Sequence, residues 1–363
     1  MSSSIDKSAA KSLSVQAIVF TEIIWAVLAL LFFLLFSVAE PGQDRPLWYS
    51  YGTSIFELLA YLVAAILCFR NWRSPQIVSG RKVWFGIGMG MLCYFLGGVL
   101  FTFWETFLGR DAAVSPGDFF YVPTYLFLGW GMVMAFADRR LNLEIWQWGI
   151  VAGIAAISIA FATWLTISPE KTANADVFGI EPVSAQTTPA KPTPKPTKIA
   201  PKVSPQPPKV QTPQAAPKAI VAPQSVPSVP VVRSAAPVKI EAEQKTPPPA
   251  WVSAVEDALA PLKLFLDYFY VMADVFILVV ATTLLLAFWG GRFSQSWRMI
   301  AAAAFSLYIA DTWFKYATAR LANYQSGGLL EIFWVLSGVL FGIGAALEYD
   351  LSRSRRAGGR RRA

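Results

Sequence analysis

Residues 17–39 read AIVFTEIIWAVLALLFFLLFSVA, an apolar run interrupted by one charge, Glu22. At 1.5 Å rise per residue such a run makes a helix about 34 Å long, enough to cross a hydrocarbon core of about 30 Å. Working outward, comparable runs fill most of residues 17–167 and 264–348. The spacing predicts eight membrane helices near 17–39, 51–69, 83–108, 119–137, 146–167, 264–289, 299–317 and 329–348. The chain is therefore expected to be an all-α polytopic membrane protein, and its mean hydropathy of +0.46 agrees. The first sixteen residues are polar, and the first run is too long for a cleaved leader, so helix one is expected to stay.

The basic residues set the orientation. Arg70, Arg73, Arg81 and Lys82 lie between helices two and three, Arg139 and Arg140 after helix four, and Arg292 and Arg298 after helix six. The C-terminal residues 349–363 carry six more arginines, and Lys7 and Lys11 precede helix one. With eight crossings all fall on one side, where short loops rich in lysine and arginine remain cytoplasmic. Trp146, Trp148, Trp164, Trp48 and Tyr49 fall at helix ends, as interfacial aromatics do. Both termini are expected inside, in a bacterial inner (plasma) membrane, with a thylakoid or other internal membrane as the alternative.

This order divides the chain into a cytoplasmic tail (1–16), a four-helix membrane repeat (17–140), a fifth helix (141–167), a linker (168–260), helices six to eight (261–348) and a basic cytoplasmic tail (349–363). The linker is then extracytoplasmic. Its centre, PAKPTPKPTKIAPKVSPQPPKVQTPQAAPK (189–218), is built on prolines that fix φ and lack an amide donor. Few bulky apolar residues offset the entropy of ordering, so disorder or polyproline II is expected. At about 3.1 Å per residue, roughly 70 such residues reach on the order of 200 Å. The segment reads as a spacer, or as an arm (185–248) towards peptidoglycan or another envelope partner. Just after it, Trp251–Leu266 is apolar on one face and reads as a short interfacial helix kinked at Pro261.

An internal repeat is visible. Shifted by 213 positions, Asp118 meets Glu331, Phe120 meets Phe333, Tyr121 meets Trp334, Gly129 meets Gly342 and Gly131 meets Gly344. Glu57 stands opposite Asp274 at a shift of 217, and Trp104 opposite Trp313 at a shift of 209, differences of four that small loop insertions would give. Two parallel four-helix repeats (4+4) follow, related by a pseudo-two-fold axis along the membrane normal.

Glu57, Glu105, Asp118, Asp274, Asp311 and Glu331 all fall in the outer part of their helices. A charge at bilayer depth costs about 2.5–3.5 kcal/mol on insertion scales, so such residues face a bundle interior or a watered cavity. They are the candidate ligand-binding or ion-pathway residues, with Lys315, which shares a helix face with Asp311 four residues earlier. For Asp118 and Glu331 the helix macrodipole is a sufficient alternative explanation. The chain has no histidine, which removes the usual general base and the commonest metal ligand. Cys68 and Cys93 both lie in expected spans and read as small buried residues. No catalytic site, metal site or cofactor is expected. Gly86 and Gly90, Gly149 and Gly153, and Gly338 and Gly342 form GxxxG pairs, for packing within the bundle or for a homodimer. The basic tail suits anionic lipid and is too short for nucleic-acid recognition.

DFFYVPTYLFLGWGM (118–132) and IADTWFKYATARLANYQSGGLLEIFWVLSGVLFGIGAA (309–346) resemble the multi-pass sensory module found ahead of GGDEF/EAL domains in many bacteria. The resemblance rests on Asp118, Asp274, Asp311, Trp313, Gly327, Gly328, Leu330 and Trp334. It implies envelope sensing. The chain departs from the pattern in its long linker and in lacking an output domain after helix eight, so no second messenger is expected to be made. The leading expectation is a non-enzymatic sensor or scaffold subunit that binds an envelope ligand or a membrane-protein partner. The alternative is a small-solute or ion transporter using its intramembrane carboxylates.

Overall fold

The computed structural model describes residues 14–38, 45–110, 114–137, 143–167, 249–288, 294–321 and 324–360. The chain divides into two units, Met1–Asn174 with Pro248–Ala363, and Ala175–Pro247. All described residues belong to the first, whereas linker residues 168–248 and Lys7, Lys11, Arg139, Arg140 and Arg292 lie outside them.

The described residues are helical and connected by short turns. The helices are α1 (Val15–Phe36), α2 (Leu47–Arg73), α3 (Arg81–Thr102), α4 (Asp118–Ala137), α5 (Ile145–Ile167), α6 (Ala250–Leu259), α7 (Lys263–Ala287), α8 (Ser294–Arg320) and α9 (Ile332–Arg360). Their ends have local causes. The Ser14 hydroxyl accepts from the Ala17 amide and caps α1. Ser74 ends α2 just before Pro75, where helical backbone is disfavoured. Gly80, at φ 101°, turns the chain into α3. The end of α3 widens into a π-helical turn at Phe103–Phe107. A 3₁₀ turn at Ala260–Leu262, which contains Pro261, joins α6 to α7.

Six helical segments are long and apolar enough to cross a membrane: Val15–Phe36, Leu47–Arg73, Arg81–Phe107, Asp118–Ala137, Ala250–Ala287 and Leu329–Ser354. This is a multi-pass, all-helical architecture. The remaining long helices differ in composition. Helix α5 is apolar throughout Ile145–Ile167, whereas α8 carries Asp311 and Lys315 within a less apolar sequence. The largest departure from the sequence expectation is at α9. It runs past residue 348 to Arg360, so most of the expected tail is helix. Glu348 Oε1 accepts from the Ser79 amide, Ser352 Oγ accepts from the Val78 amide, and the Arg70 guanidinium lies 4.2 Å from the Tyr349 ring centroid. These contacts between distant segments hold the extension in place.

The packing order is a closed ring. Helix α2 packs on α3, α3 on α4, α4 on α7, α7 on α8, α8 on α9, and α9 back on α2. Helix α1 lies outside against α9 and α2, and α5 lies outside against α7. Between apolar helices in lipid, close packing has to supply the adhesion that water exclusion supplies in a soluble core. Gly86 and Gly131 show how close: a Cβ on Gly86 would stand 2.6 Å from the Gly131 Cα. Gly338 is pressed on Ala60 in the same way, whereas Gly149 and Gly153 have nothing within 4 Å. One half of the ring interior is filled by Trp84, Ile87, Met91, Leu128, Met132 and Phe341, all fully buried. Cys68 and Cys93 are free and buried, as expected. Glu22, the one charge of the first apolar run, is buried beside Gly342.

Candidate functional site

The starts of α2, α4, α7 and α9 and the ends of α3 and α8 meet at one end of the ring, and this end collects the acids. The Ser115-Pro116-Gly117 turn leads into α4, and Asp118, in its first turn, folds back so that Oδ2 accepts from the Ser115 amide at 2.8 Å. Its Oδ1 accepts from the Tyr270 hydroxyl of α7. A helix start suits a carboxylate because its amides lack intrahelical partners. Glu331 repeats the device before α9. It accepts from the Gly327 amide at 2.6 Å, from the Gly328 amide at 3.3 Å and from the Tyr324 hydroxyl.

Gly327 is required by geometry. Its φ is 105°, and a Cβ there would stand 2.8 Å from the Tyr49 ring. Its carbonyl accepts from the Tyr49 hydroxyl at 2.7 Å and from Arg45 Nη1, while the Arg45 amide donates to Gln325 Oε1 at 2.8 Å. Glu105 accepts from the Ser326 amide at 3.2 Å. Glu105 and Glu331 thus hold the 324–328 loop against the start of α2 and the end of α3.

Deeper in, Asp311 of α8 accepts from the Tyr125 hydroxyl of α4 and, at 2.7 Å, from Trp334 Nε1 of α9. Asp274 of α7 is buried behind it, carboxyl facing carboxyl. Glu57 of α2 lies beside Tyr94 of α3. Lys315 does not pair with Asp311, although the two share a helix face. It reaches across to Asp267 at the start of α7, and its ammonium lies 5.1 Å from the Tyr270 ring centroid. A second ion pair, Arg110 with Glu256, ties the loop after α3 to α6, and the carboxylate raises the Arg110 guanidinium above its ordinary range.

Between these groups lies a cavity of about 90 Å³. Glu57, Asp118, Asp311 and Lys315 line it, so four of the seven residues singled out from the sequence come together. Asp274 backs the cavity, while Glu105 and Glu331 belong to the neighbouring loop clamp. The rest of the lining is mostly aromatic: Tyr94, Phe101, Tyr121, Tyr125, Tyr270, Phe314 and Trp334, with Ser115. All six ring helices contribute. The rings also support one another, with Tyr94 stacked on Tyr61 at 3.7 Å and edge-on to Tyr121 at 5.2 Å. The tyrosines were not singled out from the sequence. The one readable signal was on α4, where 118, 121 and 125 follow helical spacing and share a face.

No protein-family model, curated protein or solved structure matches the chain. The site offers carboxylates, phenol hydroxyls and aromatic walls in a confined space at the end of a helix ring, a setting for holding a small polar ligand.

Proposed function

We propose that the protein is a non-enzymatic sensor or scaffold subunit of a bacterial inner membrane, with its ligand site in the acidic end of the helix ring. The observation that carries this reading is the convergence of all six ring helices on one small cavity holding Glu57, Asp118 and Asp311. A ligand held there touches every ring helix at once, so it would bias how they pack. Towards the other end the ring interior is filled by Ile87, Met91, Leu128, Met132 and Phe341, which favours binding over passage. The resemblance to sensory modules of GGDEF/EAL proteins points the same way.

An eight-helix, 4+4 arrangement completes the proposal. The ring order supports it, because α2–α3–α4 and α7–α8–α9 occupy equivalent places. Glycine contacts support it further. A Cβ on Gly131 would meet the Ile87 amide at 2.8 Å and the Val83 carbonyl at 2.9 Å, and one on Gly344 would meet Ile300 at 3.0 Å and the Ser296 carbonyl at 3.2 Å. All three residue pairs obey the same 213-position shift (83 to 296, 87 to 300, 131 to 344). Cytoplasmic termini are supported by the meeting of Arg70 and Arg353 at Tyr349, at the end opposite the acids. The Pro-rich linker then emerges outside, with residues 185–248 as a contact arm.

The test is cross-linking of the full chain in native membranes, compared with a deletion of residues 185–248. Recovery of one specific envelope or membrane partner, lost in the deletion, is expected. Saturable cation flux in proteoliposomes, abolished by Asp311→Asn, would replace this reading with the transporter.

A further inference from the structure

We infer that the ligand of the ring cavity is a small organic cation, a primary or methylated ammonium ion, held by the Glu57 and Asp311 carboxylates within walls of tyrosine and tryptophan. This rests on the reading of the cavity as a binding site and adds the chemical class of its occupant.

Four observations lead to it. First, the lining carries three carboxyl groups and a single ammonium, and that ammonium is engaged elsewhere. Lys315 pairs with Asp267, and neither this pair nor that of Arg110 with Glu256 involves Glu57, Asp118 or Asp311. Asp274, directly behind Asp311, adds a further carboxyl. Carboxyl groups drawn together away from bulk water are stabilised by a bound proton or by a positive partner.

Second, the donors that serve these carboxyls are neutral. Asp311 is held by Tyr125 and Trp334, and Asp118 by Tyr270 and the Ser115 amide. Such bonds orient the carboxyls without balancing their charge.

Third, two buried hydroxyls behind the site lack a hydrogen bond of normal geometry. Tyr61 and Ser337 are both fully buried, and their hydroxyls approach each other next to Glu57 and Asp311 without forming a hydrogen bond of normal geometry. Tyr61 is stacked on Tyr94, which lines the cavity. Buried hydroxyls without a well-formed bond are uncommon in folded proteins, and these two stand directly behind the Tyr94 wall of the cavity.

Fourth, the walls suit a cation. Electron-rich ring faces attract ammonium groups, and tyrosine and tryptophan do so best when water is excluded. The protein already uses one of these walls in that way, since the Lys315 ammonium stands over the Tyr270 ring. Among the described residues, no three carboxylates are gathered around one point as a metal ion requires. Spread carboxyls with rings between them fit a larger, softer cation, and a cavity of about 90 Å³ has room for a small organic ion of roughly six to nine water-sized groups at most.

The test is calorimetric titration of the full chain in lipid nanodiscs at constant ionic strength. The probes are ethylammonium, tetramethylammonium, sodium ion and the neutral tert-butanol. Saturable binding of at least one of the two ammonium ions is expected, without saturable binding of sodium or tert-butanol. Glu57→Gln should weaken that binding by about tenfold or more, and Tyr94→Leu likewise, whereas Tyr94→Phe, which keeps the ring, should stay within about threefold. Equal binding of tert-butanol, selective binding of sodium, or no binding of either ammonium ion would overturn the inference. The wild-type probe series decides the matter even if Glu57→Gln fails to fold. Failure here leaves the sensor reading to its own measurements, partner capture and flux.

Discussion

Lys315 of α8 pairs with Asp267 of α7, while Asp311, one turn earlier on its own helix, is held by Tyr125 and Trp334. The helix period places Lys315 and Asp311 on one face, yet the neighbouring helix offers the lysine a carboxylate nearer the ring end. The ammonium is thereby drawn off the cavity carboxyl, and Asp311 is left to neutral donors.

These two carboxylates should therefore differ in what their loss costs. The Asp267 side chain is 41% exposed, so Asp267→Asn is expected to cost no more than about 1 kcal/mol. Asp311→Leu strands the Tyr125 hydroxyl and the Trp334 indole and should cost about 1–3 kcal/mol. Thermal unfolding in detergent, followed by a thiol-reactive dye at Cys68 and Cys93, measures both. Equal losses would contradict the assignment.

Glycine substitutions should separate ring from periphery. A side chain at Gly86 or Gly131 must push α3 and α4 apart, because the nearest atoms are backbone. Gly86→Val is expected to abolish recovery of a monodisperse protein in size-exclusion chromatography. Gly149→Ala, with open space around it, should change stability by no more than about 0.5 kcal/mol.

The loop clamp makes its own demand. Gly327→Ala places a Cβ at positive φ and against the Tyr49 ring, with an expected cost of about 1–3 kcal/mol. Tyr49→Phe removes only the hydroxyl that donates to the Gly327 carbonyl, which Arg45 also serves, so its cost should be smaller, about 1 kcal/mol. The same unfolding assay ranks them.

Orientation is open to labelling. Ser354 is exposed on the α9 extension and Phe107 is exposed at the acidic end. With Cys68 and Cys93 changed to serine, a cysteine at 107 should react with an impermeant maleimide in intact spheroplasts. A cysteine at 354 should react only after permeabilisation.

How much of this was readable beforehand follows from the physics of each part. Uninterrupted apolar runs are a local property, and α1 and α4 begin within two residues of the positions the sequence suggests. The α9 extension depends on Ser79 and Val78 from another segment, which no local pattern encodes. Carboxylates inside apolar helices are conspicuous because they are costly there, so Glu57, Asp118 and Asp311 stood out. Tyr94 and Tyr270 did not, because the chain holds 12 tyrosines, 14 tryptophans and 26 phenylalanines and only their facing separates a cavity wall from a lipid-facing surface. The Lys315 partner was missed for a related reason, since helix periodicity describes one helix and the competing carboxylate sits on the next.

The closure of the ring between α9 and α2 is the claim on which the cavity depends. A Cβ at Gly338 would stand 2.9 Å from the Ala60 Cβ. The direct measurement is oxidative cross-linking of Ala60→Cys with Gly338→Cys in native membranes, in a background lacking Cys68 and Cys93. The closed ring predicts a disulfide within one chain, seen as a reducible shift of the monomer band. Absence of a cross-link in a folded variant, or linkage only between chains, would contradict it.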